Sequence, residues 1–309
     1  MLQGVKTDIR FPNLGIFFSG VGNGITLFGI DVMYYGIIIV SGILLGVLFA
    51  CFRAKRAGIN PDMIIDFALY AILFSVAGAR LFYVVFAWDS FKENPVSVFN
   101  LRTGGMAIYG GIFAGALTAA VYARIKKINF LRLADLCMPS LLLGQAIGRF
   151  GNFFNREAFG VYTDGIFAMQ LDRRVVGNDY NCSLAVLEKR YAGQQEALGR
   201  IIEIRNNTVF VEGVEYIQVH PTFLYESMWN LFLLILLLVY SRYKKTDGEL
   251  LFLYLVGYGA GRFWMEGLRT DRLFMWGTSL PVSQLISAVF FLSGITLFIL
   301  SKVSAMRKK

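Results

Sequence analysis

Histidine and cysteine are scarce in this chain, and their scarcity excludes several kinds of site. The 309 residues include a single histidine, His220, so a metal site that needs two or more imidazoles cannot form. Cys51, Cys137 and Cys182 are too few and too scattered for a disulfide framework or a zinc-ligand spacing, so we expect them to have a structural role or none. The sequence also lacks a nucleotide-binding motif, and it therefore implies neither a metal nor an organic cofactor.

Charged side chains are sparse as well, at 17% of the residues, whereas 56% are hydrophobic and the mean hydropathy is +0.56. Soluble domains are about 45–50% apolar, and several apolar runs here approach the ~20 residues that cross a bilayer. We therefore predict an all-α polytopic membrane protein with about seven transmembrane helices. The predicted spans are residues 28–52, 63–86, 107–123, 133–147, 223–241, 250–268 and 282–301. The fourth run is short and contains Asp135.

The net charge of +9 follows the predicted membrane topology and does not indicate nucleic-acid binding. Basic residues concentrate after alternate spans, in segments 53–56, 124–132, 242–245 and 302–309. This alternation matches the positive-inside rule, which places the N-terminus outside and the C-terminus in the cytoplasm. The first residues show no cleavable signal peptide.

The chain is predicted to be one membrane domain, 1–309, with an extracytoplasmic insert at 161–219. This insert is polar and carries charges of both signs, and its alternating second half predicts a strand pair that turns near Asn206 and Asn207. The first outer segment, 1–27, fits either an interfacial helix or a hairpin that turns at its glycines. Both alternatives are consistent with the sequence.

The densest polar cluster is GQAIGRFGNFFNREAFG, which ends the fourth apolar run. Its spacing places Gln145, Arg149 and Asn152 on one helix face. An ionisable group at membrane depth usually marks a function, although a lone arginine can also extend its charge to the headgroups. Asn155, Glu157 and Asn152 favour a functional site, because an arginine that only reaches the headgroups needs none of them.

A second ionisable pair lies in the sixth predicted span. Arg262 and Glu266 are four residues apart and can pair along one helix face. This pair could serve helix packing alone, but such residues in membranes usually line a site. In the predicted topology Arg149 and Arg262 both lie toward the outer ends of their spans. Two guanidinium groups there could bind a phosphate group through paired hydrogen bonds.

Two further residues have competing interpretations. His220 could be part of a catalytic triad, but no nucleophile motif accompanies it, so a cap with Pro221 and Thr222 at the start of the fifth span is favoured. Tyr109 could be an interfacial belt residue. The glycines around it open space near its hydroxyl and favour a functional position.

At these residues the chain resembles the prolipoprotein diacylglyceryl transferases, bacterial enzymes of lipoprotein maturation. The family signature is similar to GRFGNFFNREAFG, and companion motifs match in family order: the YG pair at Tyr35, GARLFYV around Arg80, GGMAIYGG, HPTFLYES and GYGAGRFWMEGLR. The resemblance runs from near Tyr35 to Arg269. It implies transfer of the diacylglyceryl group of phosphatidylglycerol to the lipobox cysteine of a prolipoprotein, which forms a thioether and releases glycerol phosphate.

The resemblance also implies site residues and partners. The expected catalytic residues are Arg149, Arg262, Tyr109 and Glu157. The expected substrate-binding residues are Tyr35, Arg80, Asn152, Asn155, Tyr225, Glu226, Tyr258 and Glu266. The implied partners are phosphatidylglycerol, prolipoproteins and membrane lipid, with no nucleic acid, and the implied location is the bacterial cytoplasmic (inner) membrane with the active site toward the outer leaflet.

Tyr109 is a departure from many family members, which have histidine at that position. We hypothesise that nearby arginines lower the pKa of Tyr109, which then assists thiol deprotonation. Alternatively, no residue acts as a base and the positive field of the arginines suffices. A different class of function, a transporter for an anionic lipid, would also use intramembrane arginines, but the chain lacks the internal repeat of many transporters.

Overall fold

The computed structural model describes residues 5–101, 104–270, 272, 274 and 280–307. Its α-helices are α1 (Tyr34–Arg56), α2 (Pro61–Phe86), α3 (Ile108–Ile125), α4 (Phe130–Asn155), α5 (Leu184–Arg190), α6 (Gln195–Asn206), α7 (Thr222–Tyr240), α8 (Glu249–Leu268) and α9 (Val282–Arg307). Its strands are β1 (Thr7–Phe11), β2 (Ile16–Val21), β3 (Gly24–Leu27), β4 (Ile30–Met33), β5 (Met169–Asp172), β6 (Val209–Val211) and β7 (Val214–Val219).

The long helices form a bundle suited to a bilayer. Within the described ranges, six helices are long and apolar enough to cross a membrane: α1, α2, α3, α4, α7 and α9. Helix α8 has 20 residues but falls outside this group, because Arg262, Glu266 and its glycines lower its hydropathy. The prediction of a mostly helical, multi-pass membrane protein is thus confirmed.

Small residues bring neighbouring helices into close contact. A Cβ atom added to Gly110 of α3 would lie 2.4 Å from the carbonyl oxygen of Gly78 in α2, and one added to Gly42 of α1 would lie 3.0 Å from that of Gly144 in α4. Lipid tails are as apolar as leucine, so helix association in a bilayer depends on such close packing. Larger residues at these positions would push the helices apart.

Helix α4 extends well beyond the predicted fourth span, because its last residues, FGNFFN, continue the helix. It contains Pro139, which has no N–H to bond the carbonyl of Asp135 one turn earlier. Arg53 of α1 supplies the missing donor, with its Nη2 3.1 Å from that carbonyl oxygen. The side chain of Asp135 accepts hydrogen bonds from the backbone N–H groups of Gly248 and Leu251. Asp135 can therefore lie inside a membrane-spanning helix, because both oxygens of its carboxylate have hydrogen-bond partners.

The all-α prediction needs correction, because an antiparallel five-stranded sheet, in the order β2-β1-β5-β7-β6, covers one end of the bundle. Strands β1 and β2 come from the first segment, and the other three come from the predicted insert. Buried side chains of Ile9, Leu171 and Ile217 form its core together with Ile201 and Ile204 of α6. We call this sheet with α5 and α6 the head.

Two local predictions about strands are revised. The hairpin of the insert turns at Glu212 and Gly213, both of which have positive φ, whereas Asn206 ends α6. The first segment forms strands rather than an interfacial helix. Its hairpins pair β1 with β2 through a turn at residues 12–15 and β3 with β4 through a turn at residues 28–29. The predicted turn at the glycines of segment 20–24 lies between β2 and β3, which do not pair. The short β3–β4 hairpin also delays α1 until Tyr34.

The other end of the bundle gathers the basic segments, and we call it the basic end. Lys244 Nζ lies 2.7 Å from Asp135 Oδ2, and Lys302 Nζ lies 2.6 Å from Glu249 Oε2. Lys126 pairs with an exposed aspartate at the start of α2. Basic side chains that follow α1, α3, α7 and α9 therefore meet at one end, opposite the head.

Candidate functional site

The predicted polar face of α4 opens onto a cavity in the helix bundle. Gln145, Arg149 and Asn152 all line it, as the helical spacing predicted, and Tyr35 of α1 and Tyr258 of α8 line it from neighbouring helices. The cavity has a volume of about 490 Å³, which is within the range of small-molecule sites. Sequence-distant motifs thus share one site beside the head.

Most of this cavity is apolar. From Arg149 and Tyr35 it runs along α1, α2 and α4 toward the basic end, where Ala50, Ile64 and Cys137 line it. Polar groups therefore concentrate at the end nearer the head, and the rest offers hydrocarbon surface. This distribution fits an amphiphile with a polar headgroup and long apolar chains.

Three arginines converge on one glutamate beside the cavity. Glu226 of α7 lies with its Oε2 2.6 Å from Arg149 Nη2, and its Oε1 is 3.3 Å from Arg262 Nη1 and 3.5 Å from Arg269 Nη1. The Glu226 side chain is only 8% exposed, and those of the arginines are 11–23% exposed. One carboxylate offers about four lone-pair sites. Arg149 and Arg262 each carry about five N–H donors, so together they offer more donors than this carboxylate accepts.

The predicted pair of Arg262 and Glu266 is present, with Nη2 2.8 Å from Oε2. This contact is an ion pair without hydrogen-bond geometry, because that oxygen accepts no hydrogen bond. Arg262 thus contacts both Glu226 and Glu266, and Arg149 contacts Glu226. The guanidinium groups of Arg149 and Arg262 are partly shielded from water, and such paired donors are suited to binding an anion such as a phosphate.

Glu157 is held at the end of α4 by amide side chains. Asn152 and Asn155 each donate from Nδ2 to Glu157 Oε1 at 3.1 Å. Arg156 takes the left-handed conformation, with φ of 53°, and turns the chain back so that Glu157 reaches these amides. These three predicted residues therefore form one hydrogen-bonded unit next to Arg149.

Both tyrosines at the cavity are fixed by their neighbours. The Tyr35 ring lies against Gly151, where an added Cβ would come within 2.7 Å of a ring carbon. Tyr258 stacks on Tyr254, with ring centroids 5.4 Å apart and planes at 13°. A side chain larger than hydrogen at Gly151 would displace Tyr35, which gives the signature glycine a physical role.

The described contacts of Tyr109 and Arg80 are with residues outside the arginine cluster. The Tyr109 hydroxyl lies 3.1 Å from Ser283 Oγ of α9, and the described contacts include none between Tyr109 and Arg149 or Arg262. Arg80 is 5% exposed, and all five of its N–H groups donate to backbone carbonyls of residues 97–105. This placement favours a structural role for Arg80 over the predicted substrate contact.

His220 and Tyr225 form a separate pair. His220 Nδ1 lies 3.2 Å from the Tyr225 hydroxyl, and burial lowers the pKa of His220 below its usual value. The predicted cap is confirmed in position only: Pro221 is the N-cap residue of α7, but no side chain makes a capping hydrogen bond there. Thr222 donates to the carbonyl of Ala158 instead, so it ties α7 to the signature.

Arg269 is the residue that the sequence predictions missed. It contacts the same glutamate oxygen as Arg262. It follows Glu266 by three residues within the motif already singled out, and this spacing could have indicated it. However, α8 ends at Leu268, so helical periodicity does not predict where Arg269 lies.

These features define a class of protein: a multi-pass membrane protein with a cluster of arginines and glutamates beside an apolar cavity. The comparisons with known proteins identify its family. Residues 24–300 match the family model described as prolipoprotein diacylglyceryl transferase. The chain belongs to this family, as its motifs predicted.

Curated relatives agree over most of the chain. A protein of Listeria welshimeri is 38% identical over 270 residues, which covers 87% of this chain and 86% of the relative. Proteins of Clostridioides difficile, 38% identical over 87% of this chain and 91% of the relative, and of Clostridium novyi, 38% identical over 90% and 94%, are equally similar. All three are named phosphatidylglycerol–prolipoprotein diacylglyceryl transferase.

Proposed function

We propose that this chain transfers the diacylglyceryl group of phosphatidylglycerol to the lipobox cysteine thiol of a prolipoprotein. The coarser prediction, a transferase of lipoprotein maturation, is confirmed by the family and by the names of its relatives. In the reaction a sulfur–carbon bond forms and the carbon–oxygen bond to phosphate breaks. The electron pair leaves on the phosphate oxygen of glycerol phosphate, and the thiol proton passes to a base.

The observation that carries this proposal is the arginine cluster beside the apolar cavity. Arg149 and Arg262 are spaced by Glu226, and the cavity runs from Arg149 along three helices. A phosphatidylglycerol molecule fits with its phosphate at the guanidinium groups and its acyl chains in the cavity. Negative charge grows on the leaving phosphate, so paired cations already in position stabilise the transition state.

Tyr35, Asn152 and Tyr258 are proposed to contact the headgroup, since they line the same end of the cavity. Glu157 is proposed to act beside them, since two asparagines hold it there. Glu226 and Glu266 set the spacing of the arginines.

The thiol of the precursor must lose its proton to become an effective nucleophile. The contact of Tyr109 with Ser283 favours the account in which the field of the arginines lowers the thiol pKa without a dedicated base. The predicted role of Tyr109 as a base remains the alternative, and its pH–rate profile distinguishes the two.

The topology is part of the proposal: seven spans, with α8 as the sixth, an outer N-terminus and a cytoplasmic C-terminus. An odd number of passes is supported by the basic end, where Lys244, which follows α7, and Lys302, in the last turns of α9, both pair with acidic residues. The positive-inside rule makes this end cytoplasmic. The head, the insert 161–219 and the active site then face the outer leaflet of the bacterial inner membrane.

A lipid transporter is the second candidate, because it too would bind an anionic headgroup in the membrane. Transporters place their binding groups near the bilayer midplane. Here Arg149 lies two turns from the end of α4, and Arg262 lies two turns from the end of α8. This position near one end of the bundle favours the transferase.

Purified protein in detergent, given phosphatidylglycerol and a synthetic lipobox peptide, tests the proposal. We expect glycerol phosphate release that requires the peptide cysteine and falls at least about 100-fold in R149A and R262A, the size of effect seen when one transition-state donor is removed. A peptide with serine in place of cysteine is the matched control. Folded protein that binds the lipid but releases no glycerol phosphate would favour transport.

A further inference from the structure

The C-terminal end of α8 is tied to the head through its backbone. A helix leaves its last four carbonyls without partners inside the helix. The carbonyl of Leu268 accepts from the N–H of Val161 at 2.8 Å, and Gly160 and Arg269 form an antiparallel bridge. The chain that leaves α8 therefore pairs with the start of the insert.

Arg200 of α6 donates to one more of these carbonyls and to the first carbonyl beyond the helix. Its Nη1 donates to the oxygen of Gly267 at 3.0 Å and to that of Arg269 at 3.1 Å. Its Nη2 donates to Glu196 Oε1 at 2.8 Å, which orients the guanidinium group. Arg272 completes the arrangement: it donates to the carbonyl of Gly267 and contacts the same oxygen of Glu196.

Helix α6 is a rigid support for Arg200. Leu198, Ile201 and Ile204 of this helix are buried in the core that includes Leu171 of the sheet. Arg200 is four residues from Ile204 and from Glu196, and its side chain is 20% exposed. It is the side chain through which the insert contacts the backbone of the segment that carries Arg269.

We propose that Arg200 is a positioning residue for the transfer reaction: it fixes the backbone at Arg269, so that the Arg269 side chain reaches Glu226 and keeps the arginine cluster aligned. The inference rests on the proposed function and assigns the insert a part in it. Small displacements of charged groups cost rate because transition-state stabilisation depends on their alignment.

The first test compares R200A with R190A in the glycerol phosphate assay. Arg190 is the matched control, because it pairs with Asp179 on the same insert and is 47% exposed. We expect R200A to lower kcat about tenfold, with KM for lipid and peptide within twofold, while R190A behaves like wild type. R200K retains a charged donor and is expected to restore kcat to within about threefold of wild type.

A double-mutant cycle identifies the residue through which Arg200 acts. If it acts through Arg269, the loss caused by R200A shrinks in an R269K background, because coupled residues are not additive. Should R200A not fold, judged by thermal unfolding in detergent, R200M carries the same cycle, because it keeps the apolar stem of the side chain and removes the donors to Gly267 and Arg269. Equal losses in both backgrounds, or kcat for R200A equal to that for R190A, would overturn the inference. Wild-type protein without activity would instead contradict the proposed function.

Discussion

The two ends of the helix bundle both bury a carboxylate against cations, but the carboxylates differ in how their hydrogen-bond donors are arranged. At the basic end, Glu249 is fully buried and accepts from the Tyr240 hydroxyl at 2.5 Å, Lys302 Nζ at 2.6 Å and the backbone N–H of Thr246 at 2.8 Å. Near the head, Glu226 is shared by three arginines, two of them at 3.3–3.5 Å.

This difference distinguishes a structural site at Glu249 from a candidate anion-binding site at Glu226. Five donors reach the two oxygens of Glu249, which fills their lone-pair sites, so its network is complete and joins α7, α8 and α9. Around Glu226 the N–H donors of Arg149 and Arg262 outnumber the lone pairs of this carboxylate, and an apolar cavity adjoins them. An excess of donors beside open space is suited to an incoming phosphate, whereas a complete network is suited to stability.

The largest effect is expected from a substitution that removes Glu249 from its complete network. E249A should lower the free energy of unfolding by about 3–5 kcal/mol, because it leaves the partly buried donors of Tyr240 and Thr246 without an acceptor and removes the counter-charge of Lys302. Thermal unfolding in detergent measures this. D66A is the matched control: its pair with Lys126 is 3.7 Å long and exposed, so the change should be at most about 1 kcal/mol. Similar losses in the two variants would contradict the distinction.

The next largest effect is expected at Glu226, the carboxylate with which Glu249 is compared. E226Q should lower kcat by about 100-fold, because the neutral amide no longer holds three guanidinium groups in one arrangement. Thermal unfolding should change less than in E249A. E188Q, at an exposed position of α5, is the control for removing a carboxylate. Activity within threefold of wild type would show that Glu226 is not needed for alignment.

A smaller effect is expected at Tyr109. Y109F removes the hydroxyl that contacts Ser283, and a lost hydrogen bond costs about 1 kcal/mol of stability. If the field of the arginines activates the thiol, activity should fall no more than about threefold, equally across pH. A loss that grows toward low pH would instead support a base role for Tyr109.

The smallest effect concerns pH. His220 has a lowered pKa in the folded protein, so the unfolded chain binds its proton more readily. Its contribution to stability is therefore present above the unfolded pKa of about 6.5 and decreases as pH falls below that value. H220N should flatten the dependence of the unfolding temperature on pH between about 5 and 7. The same dependence in wild type and H220N would assign it to other groups.

Helical periodicity predicted much of the candidate site. Gln145, Arg149 and Asn152 share a face because residues three and four apart must do so, and the Arg262–Glu266 pair follows from the same spacing. Contacts between different helices could not be predicted from spacing along one helix. The motif match placed Arg80 at the site, but its five donors bind loop carbonyls that only the folded chain brings together.

What the sequence determined by itself is the membrane class, the family and the local geometry of each motif, because hydropathy and helical spacing are properties of short segments. What only the tertiary structure decided is that Glu226 joins the arginines of α4 and α8, that Arg269 is the third of them, and that the first segment shares a sheet with the insert. These depend on helix packing and strand pairing between distant segments, and no local spacing specifies which partners meet.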